Sequence, residues 1–279
     1  NYAAENNLFL LGHTLVWHAM TPKWVFEKKD GSAVSREVLL NYMQEHIRTV
    51  AGRYQGQVDA WDVVNEALNE DGSLRESPWY TIIGDDYIER AFTLAAQTAP
   101  NTALYYNDYN LFEPAKRAGA IKLIKRLQAK GIRVDGIGIQ GHYGLDYPDL
   151  DEFEQSIIEF AALGIDVVIS ELDITVLPFP KKENQGADIS MKVKLKAELN
   201  PYTKGLPAVI ERQLGKRYEE LFAVLNRHQD KISRVSFWGV CDANTWRNDW
   251  PVKGRTDYPL LFDRDMKKKP FASRLAPTM

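Results

Sequence analysis

The chain has 279 residues, 44% of them hydrophobic and 26% charged, and its net charge is −3 at pH 7. This balance is typical of a globular protein and argues against a nucleic-acid partner, and no apolar run is long enough for a membrane span. The single cysteine excludes a disulfide within the sequence. Seven tryptophans and thirteen tyrosines are the one compositional bias, and aromatic faces beside polar groups suit sugars.

Short apolar, β-branched runs alternate with longer amphipathic stretches along the chain. The predicted strands are 8–18, 60–66, 103–110, 135–143, 166–174 and 235–240, and the predicted helices are 35–54, about 84–99, 113–131, 151–164 and roughly 206–228. Strands buried on both faces that alternate with helices indicate a parallel sheet. Because no Gly/Ser/Pro-rich linker interrupts the pattern, we expect a single domain over residues 1–279.

The alternation fits either a doubly wound open sheet or a (β/α)8 barrel. The open sheet predicts a glycine-rich ligand loop, and the sequence contains neither G-x-G-x-x-G nor a P-loop. The barrel predicts functional residues at the carboxyl ends of its strands, and every predicted strand ends in polar or aromatic residues. These are His13, Trp17 and His18; Asn65 and Glu66; Asn107 and Asp108; Gln140 and His142; Glu171 and Asp173; and Trp238. The sequence therefore favours an α/β fold of the (β/α)8 barrel class.

Glu66 and Glu171 are the candidates for a pair of catalytic carboxyl groups. Cleavage of a glycosidic bond needs one carboxyl group that protonates the leaving oxygen and a second that attacks or stabilises the anomeric carbon, about 5–5.5 Å away in a retaining enzyme. For either glutamate taken singly, the alternative is a structural ion pair or a cap. Both together, in matching strand-end contexts, favour catalysis.

Three histidines invite further hypotheses. His142 and Asp173 end adjacent strands, so the imidazole and the carboxylate can orient a nucleophile, or His142 can be a hydrogen-bonded core residue. His13 and His18 lie on opposite faces of one strand, and the lone cysteine adds no ligand cluster, so we expect no metal and no other cofactor. His13 and Trp17 share a face and can line a pocket.

Two long connections follow the last two predicted strands. Trp246 and Trp250 lie in the loop after the final strand, where they either pack on the rim or stack on sugars. Long connections in compact domains are often functional, and residues 178–205 form another. The lysine-rich run 181–196 within it predicts a solvated flap.

Six motifs together resemble the family 10 glycoside hydrolases, the retaining endo-β-1,4-xylanases. They are GHTLVWH, WDVVNE, YYNDYN, GIQGH, ISELD and FWGV, and they occur in the family's order from about residue 8 to the C-terminus. The resemblance implies that Glu66 is the general acid/base and Glu171 the nucleophile of a double displacement on xylan or xylo-oligosaccharides. It further implies supporting roles for Asp173, Asn107 and Asp108 and substrate contacts for His13, Trp17, Asn65, Gln140, His142, Trp238 and Trp246.

One departure from the family accompanies the resemblance. The family's first two β/α units, the second with a Glu-Asn-x-x-Lys type motif, have no match here. The strands of this chain would then be strands three to eight of an N-terminally incomplete barrel. The missing units would lie in a separate N-terminal segment or before an inserted carbohydrate-binding module. Alternatives to a xylanase are another barrel β-1,4-glycanase and a non-catalytic sugar-binding barrel. A polymeric substrate implies secretion or the cell surface, although some family members are intracellular.

Overall fold

A computed structural model describes residues 2–179 and 194–275 of the chain. Most of the predicted flap falls within residues 180–193 and lies outside the described residues. The helices are α1 Tyr2–Glu5, α2 Arg36–Arg53, α3 Pro78–Ile83, α4 Tyr87–Thr98, α5 Pro114–Ala129, α6 Leu150–Ala161 and α7 Ala208–Arg227. The strands are β1 Leu11–Trp17, β2 Ala60–Asn65, β3 Ala103–Asp108, β4 Gly136–Ile139, β5 His142–Gly144, β6 Asp166–Thr175 and β7 Ile232–Phe237.

The chain divides into two compact units, and the boundaries between them fall within β4, within α6 and at the start of β6. The first comprises the described residues up to Gly138 together with Glu159–Asp166, and the second comprises Ile139–Ile158 and the described residues from Val167 onward. The prediction of one domain over residues 1–279 stays a prediction. Within the described parts of both units, no helix is long and apolar enough to cross a membrane.

The first unit contains the parallel strands β1, β2 and β3. Their register aligns the carboxyl ends, because Trp17 pairs with Asn65 and Asn65 pairs with Asn107. Every residue of β2 is buried, as expected for a strand covered on both faces. α2 begins after Ser35, whose side chain accepts a hydrogen bond from Val38 N. The unit therefore brings three of the predicted polar positions to one edge of a sheet.

The second unit contains the parallel strands β5, β6 and β7. His142 pairs with Asp173 in the register of β5 with β6, and Leu172 pairs with Phe237 in that of β6 with β7. β6 is buried from Val167 onward. The unit therefore holds the polar ends of two predicted strands side by side.

The structure differs from the sequence-based prediction in several respects, in addition to small shifts of element ends. The predicted strand 135–143 is two strands, because Gly141 has φ 84° and breaks the extended backbone between them. The separate helix α3 precedes the helix predicted at 84–99 and begins with Pro78, a residue suited to the first helical position. Most residues of β1 and β7 are part-exposed, so the prediction that the strands are buried on both faces is wrong for these two strands.

Candidate active site

Glu66 lies directly after the last residue of β2 and is buried. Trp17 Nε1 donates a hydrogen bond to its Oε2 at 2.9 Å, and Asn65 Nδ2 donates to its Oε1 at 3.3 Å. Asn107 Nδ2 donates in turn to Asn65 Oδ1 at 3.0 Å. An indole and an amide from neighbouring strands therefore hold both oxygens of this carboxyl group.

The backbone of Glu66 departs from the extended conformation that the sequence predicts for it. Its φ is 57°, in the left-handed region that residues with a Cβ atom rarely adopt. Its amide still donates to Asn107 O at 2.9 Å. The strand predicted at 60–66 thus ends one residue early, and the turn at Glu66 sets the direction of its side chain.

A second set of polar residues is buried at the carboxyl end of β3, the strand that pairs with β2. Asp108 accepts hydrogen bonds from the Tyr106 hydroxyl and from Tyr109 N, and it forms an ion pair with Lys116 Nζ at 3.1 Å. Lys116 is fully buried and also lies 3.1 Å from Glu70 Oε1. Asp108 therefore contacts buried structural groups, while its neighbour Asn107 contacts Asn65.

His13 also occupies a defined position in the first unit. Its Nδ1 lies 2.8 Å from Oδ2 of the buried Asp62, and its ring is 6.2 Å from that of Trp17 in an edge arrangement. The predicted pairing of His13 and Trp17 on one face is consistent with this contact.

Glu171 lies within β6, and His142 on the paired strand β5 contacts it. His142 Nε2 lies 3.1 Å from Glu171 Oε2, and His142 Nδ1 lies 3.0 Å from Asp173 Oδ1. The predicted contact between His142 and Asp173 is therefore present. Glu171 and Asp173 are two apart on β6 and point to the same side of the strand, so His142 contacts both carboxyl groups. Glu171 N also donates to Gln140 O at 2.8 Å.

Asp173 is the centre of a buried network of hydrogen bonds. Trp246 Nε1 donates to its Oδ2 at 2.7 Å, and Arg247 Nε and Nη2 donate to its Oδ1 at 3.1 and 2.8 Å. Both Asp173 and Arg247 are fully buried. The Trp246 ring lies 4.8 Å from the His142 ring and stacks on Trp250 at 4.7 Å.

This network shifts the pKa values of His142 and Asp173. Burial opposes the charged form of His142, but the carboxylates of Asp173 and Glu171 outweigh it and raise the pKa of His142 to about 9. Burial opposes the ionisation of Asp173, but Arg247 and His142 outweigh it and lower the pKa of Asp173 to about 2. The two carboxyl groups that contact His142 thus favour its imidazolium form.

The aromatic candidates lie at different distances from His142. The Trp238 ring is 6.4 Å from that of His142 in an edge arrangement. Trp238 is exposed, and its backbone N donates to Leu172 O at 3.1 Å. Trp250 is buried in its stack on Trp246. Trp246 thus connects the network around Asp173 to the aromatic loop.

The predicted residues therefore form two groups, one in each unit. In the first unit, hydrogen bonds join Trp17, Asn65, Glu66 and Asn107. The His13 ring contacts Trp17, and Asp108 follows Asn107 in β3. In the second unit, hydrogen bonds and ring contacts join Gln140, His142, Glu171, Asp173, Trp238 and Trp246. The predicted separation of the two glutamates stays a prediction.

Sequence reasoning missed four charged residues of these groups. Two of them are arginines: the buried Arg247 contacts Asp173, and the part-buried Arg75 contacts the Glu66 backbone. The other two, both buried, are Asp62, which contacts His13, and Lys116, which contacts Asp108. One signal was available for Asp62, because a carboxylate inside the apolar run 61–64 requires a buried partner. Among residues 2–179 and 194–275, no group of three or more His, Cys, Asp or Glu side chains is arranged to hold a metal ion.

Parallel β/α units that carry two buried glutamates, hydrogen-bonded to indole, amide and imidazole groups, are the arrangement expected of a barrel glycoside hydrolase. The comparisons with known proteins identify the family. The family model for glycosyl hydrolase family 10 matches residues 1–277, and the chain belongs to this family.

Relatives and solved structures agree with that assignment. The chain is 46% identical to endo-1,4-beta-xylanase A of Xylanibacter ruminicola over 98% of this chain and 74% of that protein. It is 44% identical to an endo-1,4-beta-xylanase of Geobacillus stearothermophilus over 93% of this chain and 74% of that protein. A GH10 endoxylanase from a sugarcane soil metagenome superposes with a TM-score of 0.91 at 46% identity, over 98% of this chain and 78% of that one. The predicted fold class, a (β/α)8 barrel, is thereby confirmed.

Proposed function

We propose that this chain is a retaining endo-β-1,4-xylanase, with Glu171 as the nucleophile and Glu66 as the general acid/base. The relatives named above are endo-1,4-beta-xylanases, and the residue pattern fits the two carboxyl groups that the reaction requires. The observation that carries the assignment of Glu171 is its contact with His142, whose imidazolium balances the charge of the carboxylate and fixes its orientation.

The first step forms a covalent intermediate. A carboxylate oxygen of Glu171 attacks the anomeric carbon, the bond from that carbon to the leaving sugar's oxygen breaks, and Glu66 gives its proton to that oxygen. In the second step, Glu66 takes a proton from water, the hydroxide attacks the anomeric carbon, and the ester bond to Glu171 breaks. The product keeps the β configuration, and both glutamates return to their starting states.

The neighbouring residues have positioning and binding roles in this proposal. Asn65, which contacts Glu66 Oε1, binds the sugar 2-hydroxyl, and Asn107 holds Asn65 in place. Asp173 fixes the ring of His142. The walls for the sugar are His13, Trp17, Gln140, Trp238 and Trp246. Asp108 supports the end of β3 next to the acid/base.

The experiment compares product release from xylan and from a soluble cellulose derivative. The parent chain should cleave xylan and not the cellulose derivative. Glu171→Ala and Glu66→Ala should each lose this activity, while their far-ultraviolet circular dichroism spectra should remain those of the folded parent. Glu154→Ala is the matched control, because Glu154 pairs with Arg227 away from the site, and it should remain active. Nuclear magnetic resonance of the first products should show the β-anomer before mutarotation.

Other outcomes select the alternatives. Comparable cleavage of the cellulose derivative would assign the chain to the broader barrel β-1,4-glycanases. Binding of xylo-oligosaccharides without turnover, unchanged by Glu171→Ala, would assign it to the non-catalytic sugar-binding barrels. Initial release of the α-anomer would refute the double displacement.

The size of the polymer favours a secreted or cell-surface protein, since xylan does not cross a membrane. Activity measured in the culture fluid and on washed cells tests this location. The expectation that the family's first two β/α units lie in a separate segment, or before a carbohydrate-binding module, stays a prediction.

A further inference from the structure

The left-handed backbone of Glu66 needs an explanation beyond its side chain. With φ at 57°, the residue has a conformation that persists only when its surroundings fix it. The side chain that leaves the backbone at this turn accepts hydrogen bonds from Trp17 and Asn65. A group that holds the backbone here would therefore determine where the carboxyl group lies.

Arg75 makes the contacts that such a group would make. Its Nε donates to Glu66 O at 3.1 Å, and its backbone N donates to Ala67 O at 2.8 Å. Its Nη2 lies 3.4 Å from Leu68 O and 2.7 Å from the Tyr109 hydroxyl. One part-buried arginine thus contacts the carbonyl groups of three successive residues that begin with Glu66.

We propose that Arg75 is a positioning residue for Glu66, which it holds in the left-handed turn so that the carboxyl group stays on Trp17 and Asn65. The Tyr109 hydroxyl, which accepts a hydrogen bond from Nη2, helps to hold the guanidinium in place. The planar fork of arginine supplies several donors in fixed directions, and a lysine ammonium cannot reproduce them. This inference rests on the proposed role of Glu66 as the general acid/base.

The proposal predicts a dependence on the leaving group. A displaced general acid slows departure of a sugar alkoxide, which needs the proton, but hardly affects departure of dinitrophenolate, which leaves as an anion. A misplacement of about 1 Å can cost up to about 10²-fold in rate. Mere loosening of the loop would instead affect both kinds of substrate alike.

Arg133 provides a matched control in the same unit. It also holds backbone carbonyl groups, because its Nη2 donates to Ala99 O at 3.2 Å and to Thr102 O at 2.7 Å. Those carbonyls precede β3, whereas Glu66 follows the carboxyl end of β2. Arg133→Met therefore removes an equivalent clamp at the other end of the strands.

The test measures kcat/KM for xylotriose and for dinitrophenyl β-xylobioside in Arg75→Met, Arg75→Lys, Arg133→Met and Glu66→Ala. We expect Arg75→Met to lose roughly 10- to 100-fold on xylotriose and less than about 3-fold on the aryl substrate. Arg75→Lys should recover little, and Arg133→Met should show equal small changes on both. If Arg75→Met does not fold, Tyr109→Phe, which removes only the anchoring hydroxyl, should show the same selectivity at smaller size.

Two results would overturn the inference: equal losses on both substrates in the folded Arg75 or Tyr109 variants, or the same selective loss in Arg133→Met. Glu66→Ala separates this failure from failure of the proposed function. Selective loss in Glu66→Ala without selective loss in the Arg75 variants refutes only the role of Arg75. Absence of selective loss in Glu66→Ala refutes the assignment of Glu66 itself.

Discussion

Replacement of Asp173 by asparagine tests whether the buried network around His142 is electrostatic. The side chain keeps its shape and one acceptor oxygen but loses the negative charge that faces two buried cations. Those cations are His142, with Nδ1 at 3.0 Å, and Arg247, with Nη2 at 2.8 Å. Trp246 also donates to this carboxylate, at 2.7 Å.

The size of the effect follows from burial. Removal of one partner of a buried ion pair costs about 3–5 kcal/mol, since the remaining charge has no counterion in a low-dielectric site. At roughly 2–4 °C per kcal/mol for a large domain, the melting temperature should fall by roughly 6–20 °C. Differential scanning calorimetry at pH 7 measures this fall directly.

The pH dependence of stability gives a second readout. His142 has its folded pKa raised from 6.5 to about 9, so its stabilising contribution is complete below its unfolded pKa and is lost as pH rises through about 9. Without the Asp173 charge, the folded pKa of His142 should fall, and the loss should begin at lower pH. The alkaline limb of a melting-temperature profile should therefore move towards neutral pH in Asp173→Asn.

Asp86→Asn is the control for this prediction. Hydrogen bonds from Arg36, which outweigh burial, and from Arg90 also lower the pKa of Asp86 to about 2. In contrast to Asp173, Asp86 is part-exposed and both of its arginine partners are exposed. Exposed pairs contribute about 0–1 kcal/mol, so Asp86→Asn should change the melting temperature by only a few degrees. Equal effects of the two substitutions, or an unmoved alkaline limb in Asp173→Asn, would refute the reasoning.

Three further substitutions test packing and charge in the first unit. A Cβ added to Gly12 would lie 2.2 Å from the buried Trp61 ring, so Gly12→Ala should destabilise by about 1–3 kcal/mol in urea unfolding, and an unchanged midpoint would contradict this contact. A Cβ added to Gly52 in α2 would lie 3.6 Å from the Thr98 side chain, an ordinary van der Waals contact. Gly52→Ala should therefore stabilise the protein by about 0.5–1 kcal/mol, and a lower urea midpoint would contradict this expectation. Lys116→Met should cost about 3–5 kcal/mol, because it leaves the Asp108 carboxylate buried without its cation; a loss below about 1 kcal/mol would show that this pair contributes little.

The candidate glutamates could be found from sequence because each one follows an apolar run in a predicted strand. Glu66 and Glu171 follow buried runs, and burial of a carboxyl group requires a reason. The contact between His142 and Asp173 was also predictable, because side chains two apart share a face of a strand and the two strands are neighbours.

The groups that hold these residues could not be predicted, because they depend on tertiary contacts. Arg75 lies in a loop and Arg247 in a short 3₁₀ helix, Trp246–Asn248. Their guanidinium groups donate to Glu66 O and to Asp173, and no sequence periodicity specifies these contacts. The break at Gly141 depends on a positive φ, which glycine permits but does not require. The candidate residues could thus be predicted from the local sequence, whereas the side chains that hold them in place depend on tertiary contacts.

The network around Asp173 has a consequence for behaviour in salt. With Glu171 ionised, the carboxylates of Glu171 and Asp173 are matched by the cations of His142 and Arg247, so the cluster sums to zero charge and projects little field beyond itself. Dissolved ions screen buried pairs far less than exposed ones. The ion pairs and hydrogen bonds within this cluster should therefore change little between dilute buffer and concentrated salt, so the stability that they contribute should be nearly independent of ionic strength.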